Sequence, residues 1–383
     1  MKKNSFILFL LFTDCCAFAQ SVHNNGAVIS LADQTVFVAP DSLVNKGTLV
    51  NNGDLRISGA WVNLGTYDAG TGQINFNSNL TQTINHSDQS FNKLVISGSG
   101  EKTFSANITI ESELDLQNSV LKSANGARLV LNSGAVVVGG SNQSHVVGSV
   151  EIKGAGNWLF PIGNGSSYLP VEVNNVTDPN AVATLTLHDL TTGQVLSGDK
   201  ELTAISSKRY WELVFVPGAL NQSKIKLPVV NEDALADDLS SWVVVSSDKA
   251  TEAYISLGQS SAAGSLSSGS VTSELAPATV FYTLAAISSE HAIEIFNAVS
   301  TGNDNKNDFF RIANIEFYPN NRVIIFNRWG DRVFEISGYD NDQKSFRGES
   351  NINGSNKLPS GNLFYSIELG DGSAKKTGYL VIK

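Results

Sequence analysis

A six-residue motif constrains this chain more than any other feature. Val44-Asn45-Lys46-Gly47-Thr48-Leu49 is followed at once by Val50-Asn51-Asn52-Gly53-Asp54-Leu55, and Val62-Asn63-Leu64-Gly65-Thr66-Tyr67 begins twelve residues after that second copy. Asn and Gly accept the left-handed backbone of a corner, and the apolar residues beside them can stack inward. Such repeats suit a β-solenoid of about 20 residues per coil, in which each coil buries its apolar face only against the next. Short strands at Leu94–Ile96, Ile108–Ile110, Leu129–Leu131 and Val136–Val138 carry the pattern onward. An ordinary β-sandwich with Asn-Gly hairpin turns would use the same residues, and stands as the alternative for residues 20–153.

The first twenty residues read as an export signal. Lys2 and Lys3 precede an uncharged apolar run, Phe6 to Phe12, and Ala17-Phe18-Ala19 has the small-x-small pattern of a cleavage site. Cleavage between Ala19 and Gln20 is expected, and the run is too short for a membrane span of about 20 residues. Cys15 and Cys16 raise a lipoprotein alternative, which Asp14 in the place of the usual small residue disfavours. Both cysteines of the chain lie in this segment, so the mature protein has no disulfide framework and no thiolate metal site. A thiol-free chain fits an oxidising exterior.

The remainder divides in two. Residues 154–286 contain 6 basic against 13 acidic side chains when counted from Phe160 to Ser288, and show strands at Thr184–Leu187, Tyr210–Val216 and Trp242–Val245 without helical periodicity. A β-sandwich is expected there, with Asp233, Asp237 and Asp238 in a solvated turn rather than a metal site. Residues 287–383 are richer in aromatic side chains and balanced in charge. Arg322–Phe326 and Arg332–Ile336 alternate as two strands around the tight turn Asn327-Arg328-Trp329-Gly330-Asp331, and Leu363–Leu369 with Thr377–Ile382 make a second pair. The fold class expected is all-β and multidomain: solenoid-like, then sandwich-like, then a small antiparallel β-sandwich.

In this last segment a set of ordered motifs is familiar. Tyr318-Pro319-Asn320-Asn321 leads to Ile325-Phe326-Asn327-Arg328-Trp329-Gly330 and Val333-Phe334-Glu335; Gly338-Tyr339-Asp340-Asn341, Phe346-Arg347-Gly348, Leu358-Pro359-Ser360-Gly361, Phe364-Tyr365 and Gly378-Tyr379-Leu380 follow. Together they resemble the type B C-terminal sorting domain of the Bacteroidetes type IX secretion system, also called the gliding motility-associated C-terminal domain. The resemblance covers Ile293 to Lys383, about a quarter of the chain. It implies a domain that carries a folded cargo through an outer-membrane machinery, the partner of this chain, and leaves it secreted or at the cell surface. The family's opening P-N-G-D-G-x-N-D-x-F is only partly matched, since Pro and the second Gly are missing from Ser300-Thr301-Gly302-Asn303-Asp304-Asn305-Lys306. Asp304, Asn305 and Asp308 in that loop can offer oxygens to Ca2+, although an Asn/Asp-rich turn needs no metal. Trp329 either projects as a recognition group or packs on the sheet.

Little in the sequence points to catalysis. His23, His86, His145, His188 and His291 share no zinc spacing, and Gly264-Ser265-Leu266-Ser267-Ser268-Gly269 misses the G-x-S-x-G spacing by one residue. A polysaccharide lyase on a solenoid needs clustered carboxylates with a basic residue nearby; between Gln20 and Leu159 the only arginines are Arg56 and Arg128. The net charge of -10 disfavours nucleic acid as a partner. Asp41-Ser42-Leu43 resembles an Asp-Ser/Thr-aliphatic O-glycosylation site at Ser42. An adhesin-like surface protein is expected, contacting glycans or other surface proteins and needing no cofactor. A glycan-binding module and a carbohydrate-active enzyme of the β-helix lyase type are the alternatives.

Overall fold

The computed structural model describes residues 21–190, 196–198, 202–287, 293–300, 302, 307–352, 354, 356–370 and 375–383. The cleavage pair Ala19 and Gln20, and Asp304 and Asn305, lie outside them. The described chain is all-β, with two short 3-10 turns. Among the described residues no helix is long and apolar enough to cross a membrane.

Residues from Val22 to Lys153 wind as a parallel β-solenoid. Val44 pairs with Val62 and Asn45 with Asn63 on one face, while Thr48 pairs with Thr66 and Leu49 with Tyr67 on the next. The coil therefore repeats after eighteen residues here, so one six-residue motif is one side and three sides close a turn. The motif's asparagines point inward and stack: Asn24 Nδ2 donates to Asn45 Oδ1 at 2.8 Å, and Asn45 Nδ2 to Asn63 Oδ1 at 2.7 Å. The motif's glycine answers a different need. A Cβ on Gly65 would stand 2.1 Å from the Gly47 carbonyl oxygen of the coil below, so only glycine lets the corners stack this closely.

One face is a seven-stranded parallel sheet from Val22–Asn24 to Val146–Val147. The second face has three strands, Val28–Leu31, Thr48–Asn51 and Thr66–Asp68. Beyond these, the longer strands Ser90–Ile96 and Ile108–Leu116 serve two sides: Ile108–Ile110 pairs with Leu129–Leu131 while Glu113–Leu116 pairs with Val136–Gly139. Leucine, isoleucine and aromatic side chains fill the interior, with Trp61, Phe76, Phe91 and Phe104 fully buried.

The side formed by Ile108–Ile110 and Leu129–Leu131 does not end with the solenoid. Ser149–Lys153 lies parallel to Arg128–Leu131 on one side and antiparallel to Val182–Asp189 on the other. The sheet continues through Arg209–Phe215, Phe281–Ile287, Trp242–Ser247 and Ile255–Ser256, reaching fourteen strands. A five-stranded antiparallel sheet, from Gly156–Phe160 to Ser261–Ser265, contributes Trp158, Phe160, Val173, Leu227 and Val271 to the same core as Trp211, Leu213, Val244 and Leu284. The middle region is thus sandwich-like and also closes one end of the solenoid, covering a coil edge that would otherwise be left unpaired.

The turn expected to be solvated differs at one position. Asp233 is buried, its Oδ2 accepts the Val230 N–H at 2.9 Å, and its Oδ1 lies 3.3 Å from Nη1 of the equally buried Arg209. Burial pushes its carboxyl up, and the Arg209 charge opposes that. Asp238 does sit in an exposed turn, capping the 3-10 turn Leu239–Ser241.

The C-terminal region has its own core, built on Val323, Ile325, Tyr365, Ile367 and Leu380. Its five-stranded sheet runs Ala298–Val299, Lys376–Ile382, Gly361–Glu368, Arg322–Phe326 and Arg332–Ser337. Every pairing is antiparallel except the first, which is parallel. Two short ribbons, Glu294–Ile295 with Ile312–Ala313 and Glu349–Ser350 with Asn356–Lys357, accompany it.

Candidate functional site

The hairpin between Arg322–Phe326 and Arg332–Ser337 is organised by one side chain. Asn327 Oδ1 accepts the N–H groups of Trp329 and Asp331, both at 2.9 Å, and its Nδ2 reaches Asp331 Oδ2 at 3.0 Å. The Asn327 N–H donates to the Asp331 carbonyl at 2.9 Å, and Gly330 takes the positive φ of 89° that the corner demands. With its backbone held this way, Trp329 projects into solvent, 72% exposed, and the Arg328 guanidinium lies 4.3 Å from its ring centre. Of the two orientations open to Trp329, it takes the outward one.

The other motif residues hold the domain together. Tyr339 is buried; its hydroxyl donates to the Phe310 carbonyl and accepts the Phe346 N–H at 3.0 Å. Asn321 joins two segments, accepting the Tyr339 N–H at 2.8 Å while its Nδ2 donates to the carbonyls of Tyr318, 2.7 Å, and Tyr339, 2.9 Å. Tyr318 closes the 3-10 turn Ile315–Phe317, and Pro319 with Asn320 leads on to Asn321. Gly338, at φ 69°, donates its N–H to the Asn321 carbonyl at 2.7 Å. Asp340 Oδ1 accepts the N–H groups of Asp342, 2.9 Å, and Lys344, 2.8 Å, which hold its carboxyl below the usual range. The Gly348 carbonyl receives the Leu358 N–H at 2.9 Å, ahead of exposed Pro359.

Strand alternation then divides the aromatic motif residues between two faces. Tyr365 points into the core and lies over Gly378, its cross-strand partner, so closely that a Cβ there would be 2.3 Å from the phenol oxygen. Phe364 and Tyr379, one residue away on each strand, are also paired across the strands but point outward, 48% and 56% exposed. Gly361 opens the strand that carries Phe364 and Tyr365. All four residues belong to the sequence motifs, and the structure shows which two face outward.

Two further sequence candidates sit elsewhere. Ser42 lies at a solenoid corner, half-buried, with its Oγ accepting the Ala60 N–H at 3.2 Å and 3.5 Å from Asp41 Oδ1. Asp308 is half-buried just before the buried Phe310. Among the described residues no group of three or more His, Cys, Asp or Glu side chains is placed to hold a metal ion.

No curated protein and no solved structure matches this chain. The domain's signal supports export to the cell surface or extracellular space, through association with the Type IX secretion outer-membrane machinery. The corner at Asn327, the buried Tyr339 and the Tyr365–Gly378 contact belong to the segment that matches a family model: residues 293–382 are a CHU_C Type IX secretion signal domain.

Proposed function

We propose that this chain is a non-catalytic, adhesin-like protein of the cell surface or medium, in which the solenoid and sandwich are the cargo of the sorting domain. The observation that carries this reading is the shared fourteen-stranded sheet. Its outward sides carry paired charged and polar groups: Arg56 with Asp54 at 2.6 Å within one strand, Lys93 with Glu113 at 3.5 Å and Arg128 with Glu151 at 2.9 Å between coils, and in the middle region His188 Nε2 2.9 Å from Glu212 Oε2. Exposed pairs contribute little to stability, typically about 0–1 kcal/mol each. What they supply is solvated polar surface on the coils and on the middle region, suited to weak and repeated contact with glycans or surface proteins. His188 stacked on Tyr210, ring centres 4.8 Å apart, adds a flat aromatic element to that surface.

A glycan-binding reading draws support from a second feature. A cleft of about 490 Å3 lies where the solenoid meets the sandwich, lined by Glu111, Asn132, Lys153 and Asn180 among others. Its planar amide and carboxylate groups, with Asn132 Nδ2 donating to Glu111 Oε2 at 2.6 Å, are of the kind that bind vicinal hydroxyls.

The test joins location to binding. The full chain and a form ending before Ile293 are followed by fractionation and mass spectrometry, and the purified chain is offered to polysaccharide-coated beads singly and clustered. Export of the full chain alone, with retention that rises steeply on clustering, is the expected result. Equal export of both forms removes the sorting reading. Tight saturable binding by single molecules favours the cleft, and release of sugar fragments replaces adhesion by catalysis.

A further inference from the structure

We infer that the outward aromatic side of the C-terminal sheet, together with the Trp329 corner, is the surface that docks on a protein subunit of the Type IX outer-membrane machinery. The inference rests on the sorting reading and specifies where that recognition happens. Phe326 pairs with Phe364, and Phe364 with Tyr379, so three rings lie in one row across three adjacent strands. The turn beginning at Asn327 places Trp329 and Arg328 at the end of that row, and Arg332 stands opposite Phe326 on the outer strand.

These rings have no part in the core. Val323, Ile325, Leu363, Tyr365, Ile367 and Leu380 fill it from the other side of the same strands. A cluster of exposed Phe, Tyr and Trp side chains is costly to leave in water, and its usual explanation is a partner. Trp, Tyr and Arg are also the residues that most often dominate binding energy.

The rest of the sheet narrows the choice of surface. The edge strand Arg332–Ser337 is closed to an added strand: Asn351 Oδ1 accepts the Glu335 N–H at 3.0 Å, and its Nδ2 donates to the Glu335 carbonyl at 2.8 Å. On the outward side away from the rings, Arg322 pairs with Glu335 and Lys375 with Glu368, the latter at 2.7 Å. That end is polar and self-satisfied. The aromatic end carries the Arg328 guanidinium, whereas Arg332 is already paired with Glu335 at 2.6 Å, so the partner it fits offers an apolar groove with a carboxylate facing the Arg328 corner.

Secretion of the full chain tests this in a host with the Type IX route. Three forms are compared with the wild type: a truncation before Ile293, a face variant Phe364→Ser/Tyr379→Ser, and a corner variant Arg328→Ala/Trp329→Ala. Lys375→Ser, at the polar end of the same side, is the control. Melting curves of the purified variants report folding, and the corner variant touches no core residue, so it stays informative if the face variant unfolds. The expected result is that truncation abolishes export, face and corner variants lower the extracellular fraction by about tenfold or more while keeping the wild-type melting point, and the control is exported normally. Normal export of folded face and corner variants, with the truncation still retained, overturns this inference and leaves the sorting reading intact. Export of the truncation at the wild-type level overturns the sorting reading itself. If the face variant instead turns a dimer into a monomer in sedimentation without altering export, the rings meet a second copy of this chain and the inference fails.

Discussion

Trp61 donates its indole N–H to Nδ1 of His86 at 3.1 Å, deep inside the solenoid, and this bond decides the protonation state of the imidazole. His86 Nε2 faces the Ser90 carbonyl at 3.3 Å, so the ring is neutral with its proton on Nε2 and its lone pair on Nδ1. The ring also stacks on Phe91, with centres 3.7 Å apart and planes 8° from parallel. Charging it would break the bond to Trp61 inside an apolar core.

Burial lowers the His86 pKa to about 4, from an ordinary value of 6.5. Between those values the unfolded chain holds a proton that the folded chain refuses, so stability falls as pH drops through that window. The loss is expected to reach about 3 kcal/mol, from about 1.4 kcal/mol per pKa unit. Urea unfolding midpoints at pH 7 and pH 4.5 should diverge more for the wild type than for His86→Phe. Equal divergence in both would assign the acid sensitivity to other groups.

Lys102 gives a slope of the same sign in the alkaline range. Its Nζ is buried and donates to the carbonyls of Ser78 and Gly100, each at 2.6 Å, and burial depresses its pKa to about 8. Gln82, its register partner one coil below, uses its amide in the same way on the carbonyls of Ile57 and Gly59. As pH rises from 8 towards 10.5 the folded chain sheds a proton that the unfolded chain keeps, so stability rises. Lys102→Gln should abolish that alkaline gain while leaving the coil folded. Lys102→Leu should cost about 1–3 kcal/mol, because the Ser78 carbonyl loses this buried donor. Denaturant titrations at pH 7 and pH 9.5 separate the two substitutions.

At the solenoid corners, Gly65→Ala is expected to destabilise by about 1–3 kcal/mol, the usual range for forced overpacking. The methyl group would enter the space of the Gly47 carbonyl oxygen. Leu64→Ala, at an exposed position beside it, should change little. A similar shift in melting temperature for both would mean that the corners can open to admit a side chain.

Tyr339→Phe removes one hydroxyl and two hydrogen bonds, leaving the buried Phe346 N–H without that acceptor. A loss of about 1–3 kcal/mol in the C-terminal domain is expected. The separate core of that domain should make the loss visible as an earlier transition, with the solenoid unfolding unchanged. Calorimetry of the wild type and variant distinguishes this from one shared transition.

Much of this organisation was legible in the residues. The six-residue motif and its Asn-x-Gly corners pointed to a stacked β coil, with a sandwich left open as the alternative, because spacing says which side chains face inward and where the backbone turns but not which strand pairs with which. The ordered motifs after Ile293 were equally readable, since Asn327 and Gly330 specify their turn through local hydrogen bonds and a positive φ. Contacts between distant segments were not. Nothing local shows that Asp233 meets a buried Arg209, or that Trp61 and His86 share a hydrogen bond across twenty-five residues.

By itself, then, the sequence determined an all-β chain with a coiled repeat, a β-rich middle and a recognisable sorting domain. Local alternation and turn chemistry are sufficient for the β-rich class, because they depend only on neighbours along the chain, and the sorting domain is legible through the resemblance of its ordered motifs to a known family. Only the tertiary structure decided that Ser149–Lys153 would join the solenoid to the sandwich in one sheet, and that Phe364 and Tyr379 would share one exposed side while Trp329 projects from the hairpin corner. Both outcomes depend on which strand finds which open edge. That choice is settled by apolar surface and unpaired backbone brought together from far apart in the chain, and no short stretch of residues encodes it.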